Sequence, residues 1–442
     1  MRDARESLRY WAGVHGVPGA QLAIVSDDSV SLHCHGLANS ETRLKVHPST
    51  RFQIGSVTKP MVAFTAFRLA EAGAIDLDAA PITVLETLPP DAPLASDNLT
   101  IQHLMDHSSG LPGDLFLDLG DDRNAGARLI ETTGDILPLH RVGAEASYCN
   151  FAYVALGEII SAVAGVHWSE ALRLHVVGLL NSPTLDPWPG EASDGLAVGH
   201  DDGQPAKRSH LAISNAAAGT TPIGTARDLA EFGQLLLKAL EGSGAISTES
   251  ARAMTQLSSR LAPNERGLGF GQGFMVMDWA GRPVFGHDGL TIGQRAFLRV
   301  FPETGLSIGL LGNGGDLRGL YQDVFSDLAE MTGASPAPRL HATMGQDFNP
   351  GLCGRYDRPN ASLVVSIEMD APHLMILNHE PWAEHAYGAV EGPFLMRPCG
   401  SETWMIAPEA SSVPLTVSFG ANAAWHGMRR YNFVGRETTS ES

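Results

Sequence analysis

The hexapeptide Gly55-Ser56-Val57-Thr58-Lys59-Pro60, followed by the apolar run Met61-Val-Ala-Phe-Thr-Ala-Phe67, constrains this chain more than any other stretch. A run that is apolar nearly all round specifies a helix buried in the middle of a domain, because a surface helix carries only one apolar stripe. Pro60 marks the start of that helix, since proline costs little in a first turn and much in an interior. Gly73 supplies a stop. Ser56 and Lys59, three residues apart, then share one face at the helix start. Unpaired backbone N–H groups and the helix dipole favour developing negative charge there. A polar pair held by a buried helix suits a nucleophile and its base.

A Ser-x-x-Lys pattern is short, and most occurrences are capped or solvated helix starts. Lysine usage sharpens it here. The chain has four lysines (Lys45, Lys59, Lys207, Lys238) among 30 basic residues, the rest being arginine. Lysine can lose its proton when desolvated and arginine cannot, so only lysine serves as a base.

At 442 residues the chain exceeds one ordinary core, and two or three domains are expected. A formal charge of -19 argues against nucleic acid and anionic membrane surfaces as partners. The segment Met1 to Tyr10 has no apolar leader core, and the longest apolar stretch, Phe151 to Val166, carries Glu158 and is short for a bilayer. A cytoplasmic location is the simplest expectation. Cys34, Cys149, Cys353 and Cys399 form no CxxC, and the 17 histidines show no HExxH, so neither a zinc site nor a disulfide framework is indicated.

The periodicities give a helix over residues 4–15, strands over Ala20–Val25 and Val30–Gly36, and a short threonine-capped helix ending at Met105. A helix near 122–133 follows within an acidic irregular region, and Phe151 to Gly165 reads as a long apolar helix. Thr225-Ala-Arg-Asp228 is a capping box opening a helix to Leu240. From Gly267 the pattern turns to period two, with strands over Gly273–Met277, Pro283–Phe285, Arg295–Phe301 and Leu306–Leu311. These elements predict an α/β sandwich closed by a sheet of distant segments over residues 1–335. Ser335-Pro-Ala-Pro338 opens a linker (336–349). Residues 350–436 carry six short strands, among them Phe394–Arg397, and suit a small β-barrel or sandwich before a tail at 437–442.

Three polar motifs stand in order: Ser56-x-x-Lys59, Tyr148-x-Asn150 and His287-Asp288-Gly289. Alone, the second reads as a helix cap and the third as a turn. Together they resemble the class C β-lactamase family of serine acyl-transfer enzymes, which includes DD-peptidases, D-aminopeptidases, esterases and penicillin-binding-protein-type thioesterases. Phe52 to Lys59, Leu104-Met-Asp-His-Ser-Ser-Gly-Leu111 and Gly219 to Leu229 add to the resemblance, which covers roughly residues 5–330. It implies a β-lactamase-like antiparallel sheet flanked by helices, with a helical subdomain. From Leu352-Cys-Gly-Arg-Tyr356 onward the chain resembles, more loosely, the lipocalin-like domain of some members.

The residue types dictate the chemistry. A free serine hydroxyl is unreactive and needs a base as it attacks a carbonyl. Lys59 and Tyr148 are both candidates, and the sequence leaves open which holds the proton at rest. The resemblance implies that Tyr148 also protonates the leaving group and that Asn150 hydrogen-bonds the substrate amide. It further implies that the backbone N–H groups of Ser56 and Leu290 bind the oxyanion, that His287 belongs to the catalytic set, and that Asp288 and Gly289 bind the substrate. No metal or organic cofactor is implied. Many relatives have lysine where His287 stands, followed by a hydroxyl residue and glycine, to hold a substrate carboxylate. Histidine, Asp288 and Leu290 make a poor penicillin site here, and histidine at this place resembles the esterase, D-peptidase and thioesterase branches.

The expected partners are a small-molecule or peptide acyl donor and, in one reading, an amine acceptor. Hydrolysis of an ester or D-configured peptide is the first reading. Transfer to an amine, as in the thioesterases that close nonribosomal peptides, is the second. A non-catalytic ligand sensor is a third, disfavoured by the intact polar set. Trp382, Tyr387 and Trp404 are candidates either to roof the cleft or to fill the barrel core.

Overall fold

The computed structural model describes residues 2–435 apart from 28, 87, 90, 133, 135, 182–183, 190–194, 202, 208–209, 265–266, 335, 380–391, 401 and 408–411. A nine-stranded antiparallel sheet organises the first domain. In spatial order its strands are Leu44–Lys45, Ser29–Asn39, Gly19–Ser26, Leu306–Gly312, Gln294–Phe301, Arg282–Thr291, Met275–Trp279, Gly269–Phe270 and Ser259–Arg260. The N-terminal hairpin thus docks beside the last strand, with Leu22 opposite Leu310.

Alternation along Gln294–Phe301 separates two cores. Ala296, Leu298 and Val300 pack with helices Thr58–Glu71 and Ala226–Leu240, whereas Phe297 and Phe301 pack with helices Ala4–Val14 and Leu317–Thr332. Thr58–Glu71 is the buried central helix its sequence requires, with Met61, Val62, Ala63, Phe64 and Phe67 all in the core. Pro60 stands in its first turn and Gly73, at φ +75°, follows its end. Ser56 lies one turn earlier than expected, in a 3-10 turn at Gly55–Val57 that leads into the helix.

Asn150–Ala164 forms the second buried helix and ends at Gly165 in the left-handed conformation. No single helix among the described residues is long and apolar enough to cross a membrane, and this one bends by 79° into the next. Helices Trp168–His175, Thr248–Thr255 and Leu317–Thr332 are additions to the sequence-based reading.

Residues 336–349, where described, contain neither helix nor strand and lead into a nearly closed nine-stranded antiparallel barrel. Its order runs Phe394–Leu395, Ala371–Asn378, Ala361–Glu368, Gly354–Arg358, Arg429–Gly435, Ala423–His426, Leu415–Gly420, Thr403–Ile406, Arg397–Gly400. The expected strand at Phe394–Arg397 is broken at Met396. That residue turns into the core and lets the chain pass from one edge of the sheet to the other. Trp404 is buried in that core with Tyr356, Phe419 and Tyr431, so it fills the barrel rather than roofing the cleft. Trp382 and Tyr387 lie outside the described residues.

Candidate active site

Glycines let three backbone segments converge on Ser56. Gly55 has φ +54°, and a Cβ there would lie 2.7 Å from the backbone nitrogen of Leu290. A Cβ on Gly289 would stand 2.0 Å from the carbonyl oxygen of Ile54, and one on Gly219 would lie 2.9 Å from the nitrogen of Ser56. Only glycine permits such approaches. The backbone nitrogen of Leu290 is thereby set against Gly55, the residue before Ser56, in the neighbourhood expected of a second oxyanion donor. Gly289, expected as a substrate-lining residue, acts through this backbone contact.

Lys59 is fully buried. Its Nζ lies 2.6 Å from the carbonyl oxygen of Ala218, 2.7 Å from Asn150 Oδ1 and 2.9 Å from Ser56 Oγ. The first two partners can only accept, so they take two N–H bonds and leave the third direction to Ser56. Burial lowers the Lys59 pKa well below its ordinary value; the charge of Arg429 lowers it further, against the raising effects of Asp114 and Cys149. The remaining direction of Nζ faces Ser56 Oγ, the placement expected of a base.

Asn150 opens its helix after Cys149, whose sulfur accepts the backbone N–H of Ala152. Its Nδ2 donates to Asp114 Oδ1 at 2.8 Å. The amide oxygen and one N–H are therefore engaged inside the protein, on Lys59 and Asp114, and orient the lysine, while Nδ2 carries a second N–H of the kind the expected substrate bond needs. Tyr148 is buried with its ring centroid 4.9 Å from Lys59 Nζ and 6.1 Å from the ring of His287.

His107 grips the segment that carries Tyr148. Its carbonyl oxygen accepts from Ser147 N–H at 2.9 Å, and its Nδ1 accepts from Cys149 N–H at 3.0 Å. Its ring lies 4.5 Å from that of Tyr148. Because Nδ1 accepts, the proton is on Nε2, and burial followed by the charge of Lys59 holds the ring neutral.

His287 is also neutral. Burial, then the charge of Lys59, lowers its pKa to about 3. Nδ1 lies 2.7 Å from the carbonyl oxygen of Asp288, so Nδ1 carries the proton and Nε2 is a buried acceptor with no partner among the described residues. Asp288 does not line the substrate as expected. Successive side chains of a strand face opposite ways, and Asp288 turns to the far face, where it pairs with Arg299 at 2.5 Å beside Tyr321.

The site has the arrangement of a serine hydrolase, with a buried lysine bonded to a serine hydroxyl. Residues 9–324 match the β-lactamase family profile, and the chain belongs to that family. Penicillin-binding protein 4 of Amycolatopsis lactamdurans is 31% identical over 362 residues, covering 78% of this chain and 94% of the relative. The crystal structure of SurE is similar in fold over 98% of both chains, with a TM-score of 0.76 and 23% identity. The D-amino acid amidase of Ochrobactrum anthropi SV3, complexed with D-phenylalanine, matches 75% of this chain and all of its own, with a TM-score of 0.62 and 20% identity.

The sequence reading brought Ser56, Lys59, Tyr148, Asn150, His287 and Leu290 forward, and the fold brings them together. It missed Asp114, the carbonyl of Ala218 and the clamp formed by His107. Among the described residues no group of three or more His, Cys, Asp or Glu is placed to hold a metal ion.

Proposed function

We propose that the chain forms an acyl-Ser56 intermediate from an ester, thioester or D-configured peptide and releases it by hydrolysis. The observation that carries this reading is the commitment of Lys59 Nζ to two carbonyl-type acceptors, which leaves its third direction for Ser56 Oγ. In acylation the Ser56 proton passes to Nζ as Oγ bonds the substrate carbon. The carbonyl electrons move to oxygen, held by the N–H groups of Ser56 and Leu290. Collapse breaks the bond to the leaving group, which takes its proton from the Lys59–Tyr148 pair. Water then repeats the attack on the acyl ester, and the proton returns to Ser56. A D-configured substrate is supported by SurE having been crystallised with D-Leu and by the amidase named above. A β-lactam is disfavoured, because neutral His287 offers no cation to a carboxylate and Leu290 no hydroxyl.

Release to an amine is a second reading, favoured by the unpartnered acceptor Nε2 of His287, which suits an incoming N–H. Partitioning decides between the two. With a peptidyl thioester or methyl ester and increasing amine, hydrolysis predicts acid alone. Amide that rises with amine at constant total turnover would replace it with the transfer reading.

A further inference from the structure

Three side chains of the barrel enter the catalytic domain and end on one residue. Arg358 Nη1 and Arg429 Nε bond Asp114 Oδ2, Arg429 Nη2 reaches Oδ1 at 3.1 Å, and Asn360 Nδ2 donates to the Asp114 carbonyl oxygen. The Asp114 side chain is 0% exposed. Burial alone would raise its pKa, but the charges and hydrogen bonds of Arg429 and Arg358 more than offset this and hold it well below the ordinary carboxylate range. An ionised carboxylate can only accept. It therefore forces the amide of Asn150 to present Nδ2 to Asp114 and Oδ1 to Lys59. The same barrel turn supplies the Met428 carbonyl oxygen to the Tyr148 N–H at 2.9 Å and sets the Arg429 guanidinium 5.1 Å from the Tyr148 ring centroid.

We propose that the barrel completes the active site: Arg358 and Arg429 are positioning residues that keep Asp114 ionised, and Asp114 fixes Asn150 against Lys59. This gives the second domain a task in catalysis itself, and it rests on the reading of Ser56 as nucleophile. The groups that face Lys59 are Asp114, Arg429, Cys149, Tyr148, Tyr153, His107 and His287. Removing the Arg429 cation lets Lys59 keep its proton to higher pH.

The test is the pH dependence of Ser56 labelling by a fluorophosphonate in the full chain. Arg429→Gln is expected to move the acid limb of the rate up by about one pH unit and to lower its plateau about tenfold. Arg429→Lys keeps a cation but loses the two-pronged grip on Asp114, so its limb stays near wild type while the plateau falls about threefold or more. Arg430→Gln is the control: Arg430 joins the same domains through Glu145 and the Leu139 carbonyl without touching Asp114, and its limb is expected to stay in place. Wild-type limb and plateau in both Arg429 variants, or an equal shift in Arg430→Gln, overturns the proposal. Wild-type protein that takes no label at Ser56 overturns the functional reading beneath it.

Discussion

Lys59 Nζ donates to the carbonyl oxygen of Ala218 at 2.6 Å, a partner that accepts and never donates. With Asn150 Oδ1 taking a second N–H, the third direction of Lys59 Nζ is left facing Ser56 Oγ. Lys59→Met keeps the length of the stem and removes the amine. Ser56 acylation by an activated ester is expected to fall about a thousandfold with the fold intact, the scale of a lost general base. Loss of less than tenfold would assign the base to Tyr148 instead.

His107 holds the Tyr148 segment through both its backbone and its ring, and does so at φ +62°. Asparagine tolerates that conformation, so His107→Asn isolates the ring's contribution from backbone strain. We expect kcat to fall ten- to a hundredfold with KM nearly unchanged, since Tyr148 would lose its lateral support. Stopped-flow acylation kinetics check the split, and unchanged kcat would make the ring mere packing.

Glu158 gives a stability prediction away from the cleft. Burial raises its pKa from 4.5 to about 7. The folded state thus binds a proton more tightly than the unfolded one, so this contribution is full below about 4.5 and is lost as pH rises through about 7. Glu158→Gln should match wild type near pH 4.5 and exceed it above pH 7 by on the order of 2 kcal/mol. Chemical denaturation at pH 4.5 and 8 reads this directly. Equal stabilities at pH 8 would show that Glu158 ionises without cost.

The parts of this architecture that rest on neighbours in sequence were legible in it. Ser56 and Lys59 meet because three residues make nearly one helical turn, and the strands beyond Gly267 follow from their period. Tyr148, Asn150 and His287 were reached through motif order, since nothing local ties a helix start at 148–150 to a strand at 287. Asp114 was out of reach. It sits in an irregular loop, and its partners Arg358 and Arg429 are 244 and 315 residues away. Asp288 was misplaced because the motif was taken as a unit, although a strand must turn its second residue away from its first. Helix Leu317–Thr332 left an unused signal, with Leu317, Leu320, Val324, Phe325 and Leu328 at helical spacing and all buried.

The central claim is a covalent intermediate on Ser56 formed with Lys59 as its base. Intact-protein mass spectrometry after exposure to a fluorophosphonate, followed by peptide mapping, tests it most directly. The account predicts one adduct per chain, located on Ser56, absent in Ser56→Ala and at least a hundredfold slower in Lys59→Met. An adduct that persists in Ser56→Ala, or that forms at the wild-type rate without Lys59, would contradict it.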